Sequence, residues 1–296
     1  MLEITGADAA AFLHAQLTND IEHLQDGGLA LNGYCTPKGR LLATFIVWRR
    51  ADRYWLLMSR GLCEPVRKRL TMFVLRSKVS IAERSDSLVV LGIGGSGASA
   101  ALAAAGIGHP DGSGATGTAG GDLLALPAPF EQEVYLLVTP TASLEVTWRR
   151  LEGHLAVVDS AHWRSVEIRA GVARVLPATS ENWVPQMINF ELVGGVSFKK
   201  GCYPGQEVVA RSQYLGKLKR RLFAASLNGR AAPGDPVEAP EQAEPVGTVV
   251  LSATSAGEPT TILFEYRYPS APLTSLRVGG ADLVPAALPY QVPGSD

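Results

Sequence analysis

Apolar side chains recur at helical spacing near the start of the chain. Phe12, Leu13, Leu17 and Ile21 fall on one side of a segment that begins just after Asp8, a residue type suited to a helix start. Ile4-Thr5-Gly6 before it reads as the end of a strand. The period then shortens. Leu29 to Tyr34 and Leu41 to Trp48 alternate as paired strands do, across the turn-forming Thr36-Pro37-Lys38-Gly39. Arg53 to Ser59 reads as a third strand. Helical spacing returns from Glu64 to Phe73, with Pro65 acceptable in a first turn. The pattern predicts an α+β layout with antiparallel pairing.

From Ser87 to Gly121 the chain becomes rich in Gly, Ala and Ser. Within it, Gly92-Ile-Gly-Gly-Ser-Gly97 matches Gly-x-Gly-x-x-Gly, between an apolar strand (Leu88 to Leu91) and a helix (Ala98 to Ala105). A dinucleotide site needs a second strand after that helix, ending in an acid about 20 residues on. Here His109-Pro110 and a run of Gly, Ser and Thr follow, so the expectation is a strand–turn–helix with glycine packing and then a surface loop to Gly121. Asp122 to Ala128 and Val134 to Thr139 are strand-like, and Ala142 to Glu152 helical. Beyond Arg221 come short β-branched segments, Leu222–Leu227, Val246–Ser252, Thr261–Tyr268 and Leu273–Val278, which predict a small barrel or sandwich. Asn228 to Pro245, rich in Pro, Ala and Glu, reads as an extended loop. There is no repeat with a period of ~20–50 residues.

Composition narrows the class. The 296 residues carry a net charge of −1, with 19% charged and 46% hydrophobic positions. That balance argues against a disordered chain or a general nucleic-acid coat. No apolar run approaches the ~18 residues of a membrane span, and the N-terminus has no signal-peptide pattern. Cys35, Cys63 and Cys202 are odd in number and widely spaced, and the five histidines include no His-x-x-x-His pair. These features predict a reduced, cytoplasmic protein with no metal site of its own.

The candidate chemistry concentrates between Phe198 and Leu222. Seven basic residues (Lys199, Lys200, Arg211, Lys217, Lys219, Arg220, Arg221) face one acid, Glu207, and Cys202 sits in a turn between Gly201 and Pro204-Gly205. Nearby positive charge favours an ionised thiol, whereas a free cysteine is also among the most buried residue types. Composition alone leaves both readings open: a reactive thiol, or a structural cysteine beside a solvated basic strand. No histidine is close in sequence to act as its base. Lys217 to Arg221 is too short for the broad basic surface that RNA binding calls for, and reads as a solvated strand.

Lys200-Gly-Cys-Tyr-Pro-Gly-Gln-Glu207, followed by Val208-Val-Ala-Arg211, resembles the signature of the YgfZ family, folate-binding relatives of the glycine-cleavage T protein. Phe12-Leu-His-Ala-Gln-Leu-Thr-Asn-Asp20, Gly33-Tyr-Cys-Thr-Pro-Lys-Gly-Arg40, Val184-Pro-Gln-Met-Ile-Asn189 and Gly194-Gly-Val-Ser-Phe198 resemble that family's other segments, up to about Leu222. The resemblance implies two related α+β units around a central channel, plus a C-terminal β-barrel. In that arrangement residues 1–85 form the first unit and pack with a channel-lining segment, 153–220. Residues 86–152 are the second unit and 221–296 the barrel. The implied cofactor is tetrahydrofolate or a derivative. Trp163, Glu167, Arg169, Lys200, Tyr203, Gln206, Glu207 and Arg211 are the expected cofactor contacts, with Cys202 the candidate for chemistry; Trp163, the Cys202 turn and Arg211 should converge at the channel.

Two departures qualify the resemblance. Aminomethyltransferases of the glycine-cleavage type carry an acidic pair where this chain has Ala43-Thr44, so ordinary aminomethyl transfer is not expected. The chain also begins directly at the Ile4-Thr5-Gly6 segment, without the lead-in strand of YgfZ relatives. The implied function is a folate-binding accessory protein that supports assembly or repair of iron–sulfur enzymes, including those that modify tRNA, without direct tRNA contact and without a membrane. The alternatives are a folate-dependent one-carbon transferase with an unknown acceptor, and a folate-stabilised protein-binding adaptor.

Overall fold

A computed structural model describes residues 1–110, 112–130, 133–214, 218–240 and 242–293. β1 (Leu2–Thr5) passes through Gly6 into α1 (Ala9–Gln16). A Cβ at Gly6 would lie 2.0 Å from the Lys78 carbonyl oxygen, so only glycine permits this crossing. Asp8 does not cap α1; its Oδ2 accepts the Lys78 N–H at 2.6 Å. The helix also stops short of Leu17 and Ile21, which are buried from the loop beyond it. β2 (Leu29–Cys35) and β3 (Leu41–Arg50) form the predicted hairpin, followed by β4 (Arg53–Leu57), α2 (Arg60–Met72) and β5 (Ser80–Glu83). α2 starts earlier than its apolar spacing predicts and carries Pro65 beyond its first turn, where a ladder hydrogen bond is lost. The sheet is antiparallel, in the order β2-β3-β4-β1-β5.

A second antiparallel sheet holds β6 (Leu88–Gly94), β7 (Gly114–Thr118), β8 (Gly121–Ala125) and β9 (Val134–Pro140), ordered β6-β9-β8-β7, with α3 (Ala98–Ala104) and α4 (Leu144–Leu151). Part of the glycine-rich stretch predicted as loop is therefore an edge strand, β7, paired along its length with β8. Its signal in sequence is weak because a strand of Gly, Ala and Thr carries little apolar patterning. The two sheets are tied by Trp48 Nε1, which donates to Asp122 Oδ2 at 2.9 Å, and by Arg50, whose Nε is 3.3 Å from Asp122 Oδ1.

α5 (Ser160–Arg169) follows, capped by Asp159, which accepts the His162 N–H at 2.9 Å. From Val172 to Gly205 the chain is irregular apart from short 3₁₀ turns, and α6 (Gln206–Tyr214) closes it. The last strands are β10 (Arg220–Leu227), β11 (Pro236–Val237), β12 (Gly247–Ala253), β13 (Thr260–Arg267), β14 (Arg277–Val278), β15 (Ala281–Asp282) and β16 (Val284–Ala286). Five of them form a sheet ordered β11-β12-β13-β10-β16, and β14-β15 pair apart from it. Among the described residues the predicted barrel is not closed. Pro272 turns the chain into a 3₁₀ turn at Leu273–Ser275, so only two residues of the predicted strand remain to pair as β14. The predicted loop before β12 also holds β11. α5 packs across β12 and β13.

The C-terminal sheet is covered on both faces, as its alternation requires. Leu222 and Ala224 join the main core with Leu263, whereas Phe223, Phe264 and Tyr266 form a separate core on the other side. Arg221, in the stretch predicted to be solvated, is buried: its Nη1 contacts Glu191 Oε1 and donates to the Gln186 carbonyl at 3.1 Å. Arg220 Nη1 reaches both Glu265 oxygens at 2.8 Å. Removing one member of a buried pair leaves the other charge uncompensated. Arg221→Met is expected to cost ~3–5 kcal/mol in urea unfolding, and adding Glu191→Gln should restore part of it.

Candidate functional site: a cavity and a cysteine turn

A cavity of ≈ 720 Å³ lies where the two α+β sheets meet α5 and the irregular segment. β3 and β4 contribute Phe45 and Leu57, β6 contributes Val90 and Gly92, and Phe130 and Phe190 close the apolar wall. α5 presents Trp163, Val166 and Glu167, one helical turn apart, along one side of it. The indole of Trp163 rests on Gly92: a Cβ there would stand 2.2 Å from Trp163 Cε3. The first glycine of the Gly-x-Gly-x-x-Gly run thus makes room for a ring, in an edge strand of an antiparallel sheet. At the rim, Trp148, Val157 and Val158 are exposed apolar side chains.

The polar groups of the cavity are few and close together. Burial pushes the Glu167 carboxyl above its ordinary value, against the opposing charge of Arg174 and a hydrogen bond with Trp163. Arg174 Nη2 stands 3.0 Å from Glu167 Oε2 without the alignment of a hydrogen bond, and Glu167 Oε2 and Arg174 Nε are buried with no hydrogen-bond partner. Arg169 also lines the cavity. Thr44 faces it and accepts the Val175 N–H at 3.0 Å, while Ala43 is buried. Neither offers a carboxylate.

Cys202 and its neighbours stand elsewhere. Lys200, Tyr203, Gln206, Glu207, Arg211 and Cys202 are not part of the cavity wall, so the predicted convergence at one channel does not occur. Their turn is fixed against the β2–β3 hairpin instead. A Cβ on Gly205 (φ +82) would meet Thr36 O at 2.4 Å, and one on Gly39 (φ +71) would meet Val208 Cβ at 3.0 Å. The turn therefore docks at the tip of the hairpin whose middle lines the cavity, roughly 15 Å away at ~3.3 Å per residue.

Cys202 is exposed, as are Glu207 and Arg211 on α6, whereas Tyr203 is buried and Gln206 half-buried. Lys200 is only 9% exposed. Its Nζ donates to the carbonyls of His14 and Leu17, the latter at 2.6 Å, and stands 4.9 Å from the Tyr203 ring centre. Burial lowers its ammonium to about 8, with Asp20, Cys202 and Glu22 opposing the shift. Lys217, part of the predicted basic stretch, lies outside the described residues. Among the described residues no group of three or more His, Cys, Asp or Glu is placed to hold a metal ion, and no helix is long and apolar enough to cross a membrane.

The sequence family described as "GCVT N-terminal domain" matches residues 1–108. Over the whole length, the chain is similar to the crystal structure of glycine cleavage system aminomethyltransferase T from Bartonella henselae, with a TM-score of 0.79 at 15% identity. The alignment covers 97% of this chain and 82% of that one. The chain has the aminomethyltransferase-T fold. Within that fold, Trp163, Glu167 and Arg169, three of the cofactor contacts that the resemblance implies, line the cavity. Sequence reasoning missed Gly92 as the seat of the indole, although the glycine stood in a motif already singled out. Trp148 and Phe190 carry no signal of their own, since a lone aromatic in sequence looks like any core residue.

Two outcomes follow from this geometry. Gly92→Val should displace the Trp163 ring, lower stability by ~1–3 kcal/mol and change the native tryptophan emission. In the folded protein, iodoacetamide should modify Cys202 and spare Cys35 and Cys63. The latter two are fully buried, and burial pushes the Cys35 thiol up to about 12; both should become reactive only in denaturant, as read by peptide mass spectrometry.

Proposed function

We propose that this chain binds a tetrahydrofolate species in the cavity and works as an accessory protein supporting the assembly or repair of iron–sulfur enzymes, tRNA-modifying ones among them. The observation that carries the reading is the cavity wall itself. An indole lies exposed to a void bordered by Phe45, Phe130 and Phe190, beside two buried polar atoms, Glu167 Oε2 and Arg174 Nε, that lack hydrogen-bond partners. A flat heteroaromatic ring with donors and acceptors on its edge fits that pairing of apolar wall and unspent polar atoms. The volume falls within the ~300–1,000 Å³ of small-molecule sites.

Trp163 would stack on the ring system, held from behind by Gly92 and from the side by Glu167. Glu167 and Arg174 would orient the ring edge, and Arg169 stands where an anionic tail needs a cation. Bound folate supplies a carrier of one-carbon units. The likeness of Lys200–Glu207 to the YgfZ signature is the ground for the iron–sulfur role and for a cytoplasmic site of action. Thr44, committed to the Val175 N–H, weighs against the one-carbon transferase reading, because no acid stands at that position to assist transfer.

Titration of the purified protein with tetrahydrofolate, followed by tryptophan fluorescence and calorimetry together, tests the proposal. Saturable binding is expected, weakened ~10-fold or more in Trp163→Ala by loss of ring stacking and largely retained in Trp163→Phe. Absence of saturable heat with the native chain would overturn the folate reading.

A further inference from the structure

α2 and the turn after it carry charge of one sign. Between Pro65 and Ala82 the chain holds Arg67, Lys68, Arg69, Arg76 and Lys78 and no Asp or Glu. Glu64, just before, takes up the first two: its Oε2 accepts from Arg67 Nε at 2.7 Å, and its Oε1 lies 3.3 Å from Lys68 Nζ. Arg69 is occupied with rings, its Cζ standing 6.0 Å from the centres of both Tyr34 and Phe73. Arg76 and Lys78 are exposed, and among the described residues their side chains form no ion pair or hydrogen bond.

Three large apolar side chains stand out of the same surface. Met72 is 66% exposed, Phe73 40% and Leu75 87%. Single exposed apolar residues are ordinary, but three within four positions make a patch. The turn that holds them is well tied. The Phe73 N–H donates to the Leu70 carbonyl at 3.0 Å, that of Val74 to Thr71 at 3.2 Å, and that of Ser77 to Val74 at 2.8 Å. Leu75 has φ 45, a left-handed backbone that glycine or asparagine adopts far more readily than leucine. A leucine here strains the backbone and adds nothing to the core, which points to a use outside the chain. Neither Leu75 nor Met72, Arg76 or Lys78 belongs to the cavity wall.

We propose that this turn is a docking surface for a protein partner that offers an apolar stripe edged with Asp and Glu. Leu75 and Met72 fill the stripe, and Arg76 and Lys78 meet the carboxylates at its edge, completing ion pairs that this chain leaves open. An apolar centre inside a charged rim is the anatomy of a protein interface, and the rim sets which partner is accepted. A phospholipid surface suits the turn less well. Three side chains bury little apolar area, and Glu64 already neutralises Arg67 and Lys68, which would otherwise attract anionic headgroups. The inference goes beyond the folate reading and stands without it.

The test titrates the full chain against fluorescein-labelled synthetic helical peptides, followed by fluorescence anisotropy. One peptide carries a leucine stripe flanked by glutamate; a second replaces the glutamates with lysine, and a third the leucines with serine. Saturable binding of the first is expected, ~10-fold or more tighter than either control, and weakened by added salt. Leu75→Asn and Arg76→Glu should each reduce it ~10-fold or more. Because asparagine suits the left-handed backbone, Leu75→Asn should unfold at a temperature no lower than the native chain. Equal binding of the three peptides, no saturable binding of the first, or an affinity untouched by both variants overturns the proposal. So does a lower unfolding temperature for Leu75→Asn, which would tie the leucine to the fold. Co-sedimentation with phosphatidylglycerol vesicles that is lost in Leu75→Asn would overturn it in favour of a membrane surface. Tetrahydrofolate binding should be the same in both variants, so failure of the folate reading and failure of this one are read separately.

Discussion

Buried backbone must find hydrogen-bond partners, and the irregular run from Val172 to Ser197 meets that demand through short turns, through backbone links to Leu41 and Thr18, and through side chains. Four nearly inaccessible residues do so. Thr18 Oγ1 accepts the Gly33 N–H at 2.7 Å and donates to the Gly195 carbonyl at 2.6 Å. Thr44 takes the Val175 N–H, and Gln186 Nε2 donates to the Val209 carbonyl at 2.8 Å. Asn189 pairs with both backbone groups of Leu222, donating at 3.0 Å and accepting at 3.3 Å. These bonds join the run to the first sheet, to α6 and to the C-terminal sheet. A stretch without regular structure is thereby held at several points to the elements around it.

Both candidate sites inherit their geometry from that lacing. The run supplies Phe190 and Arg174 to the cavity, and it delivers the chain to the hairpin tip where Gly205 and Gly39 meet. The division of labour at Thr44 shows how the two demands interact. The hydroxyl that faces the void is already used to hold Val175, so the position supports the wall rather than adding a reactive group. Trp163 is held in a comparable way, with a glycine behind it and a buried acid at its edge. Among the described residues of the wall, the buried polar atoms left without hydrogen-bond partners are Glu167 Oε2 and Arg174 Nε.

Much of this was legible beforehand. The β2–β3 hairpin, β4, β9 and most of β10, β12 and β13 follow from alternation, because each has one clear apolar face or two. β7 was not legible, since glycine and alanine carry no face. The barrel failed on a local matter, the turn after Pro272. At the sites, the family resemblance pointed to Trp163 and Glu167, which α5 sets one turn apart along the cavity wall. It wrongly gathered Lys200, Tyr203, Gln206, Glu207 and Arg211 around the same void. Sequence distance was the wrong guide there: Cys202 is 188 positions from His14 in the numbering, yet the two segments touch.

The cavity wall draws on positions as far apart as Leu31 and Phe190, from both α+β sheets and the irregular run. No fragment of the chain reproduces that wall, so a molecule that fills it binds the folded state alone. Its concentration then enters the unfolding equilibrium of the whole chain, adding about 2.7 kcal/mol when it stands at 100 times its dissociation constant. Turnover by cellular proteases, which sample the opened chain, falls in proportion. The steady amount of this protein in a cell would then rise and fall with the supply of any molecule that fills the cavity.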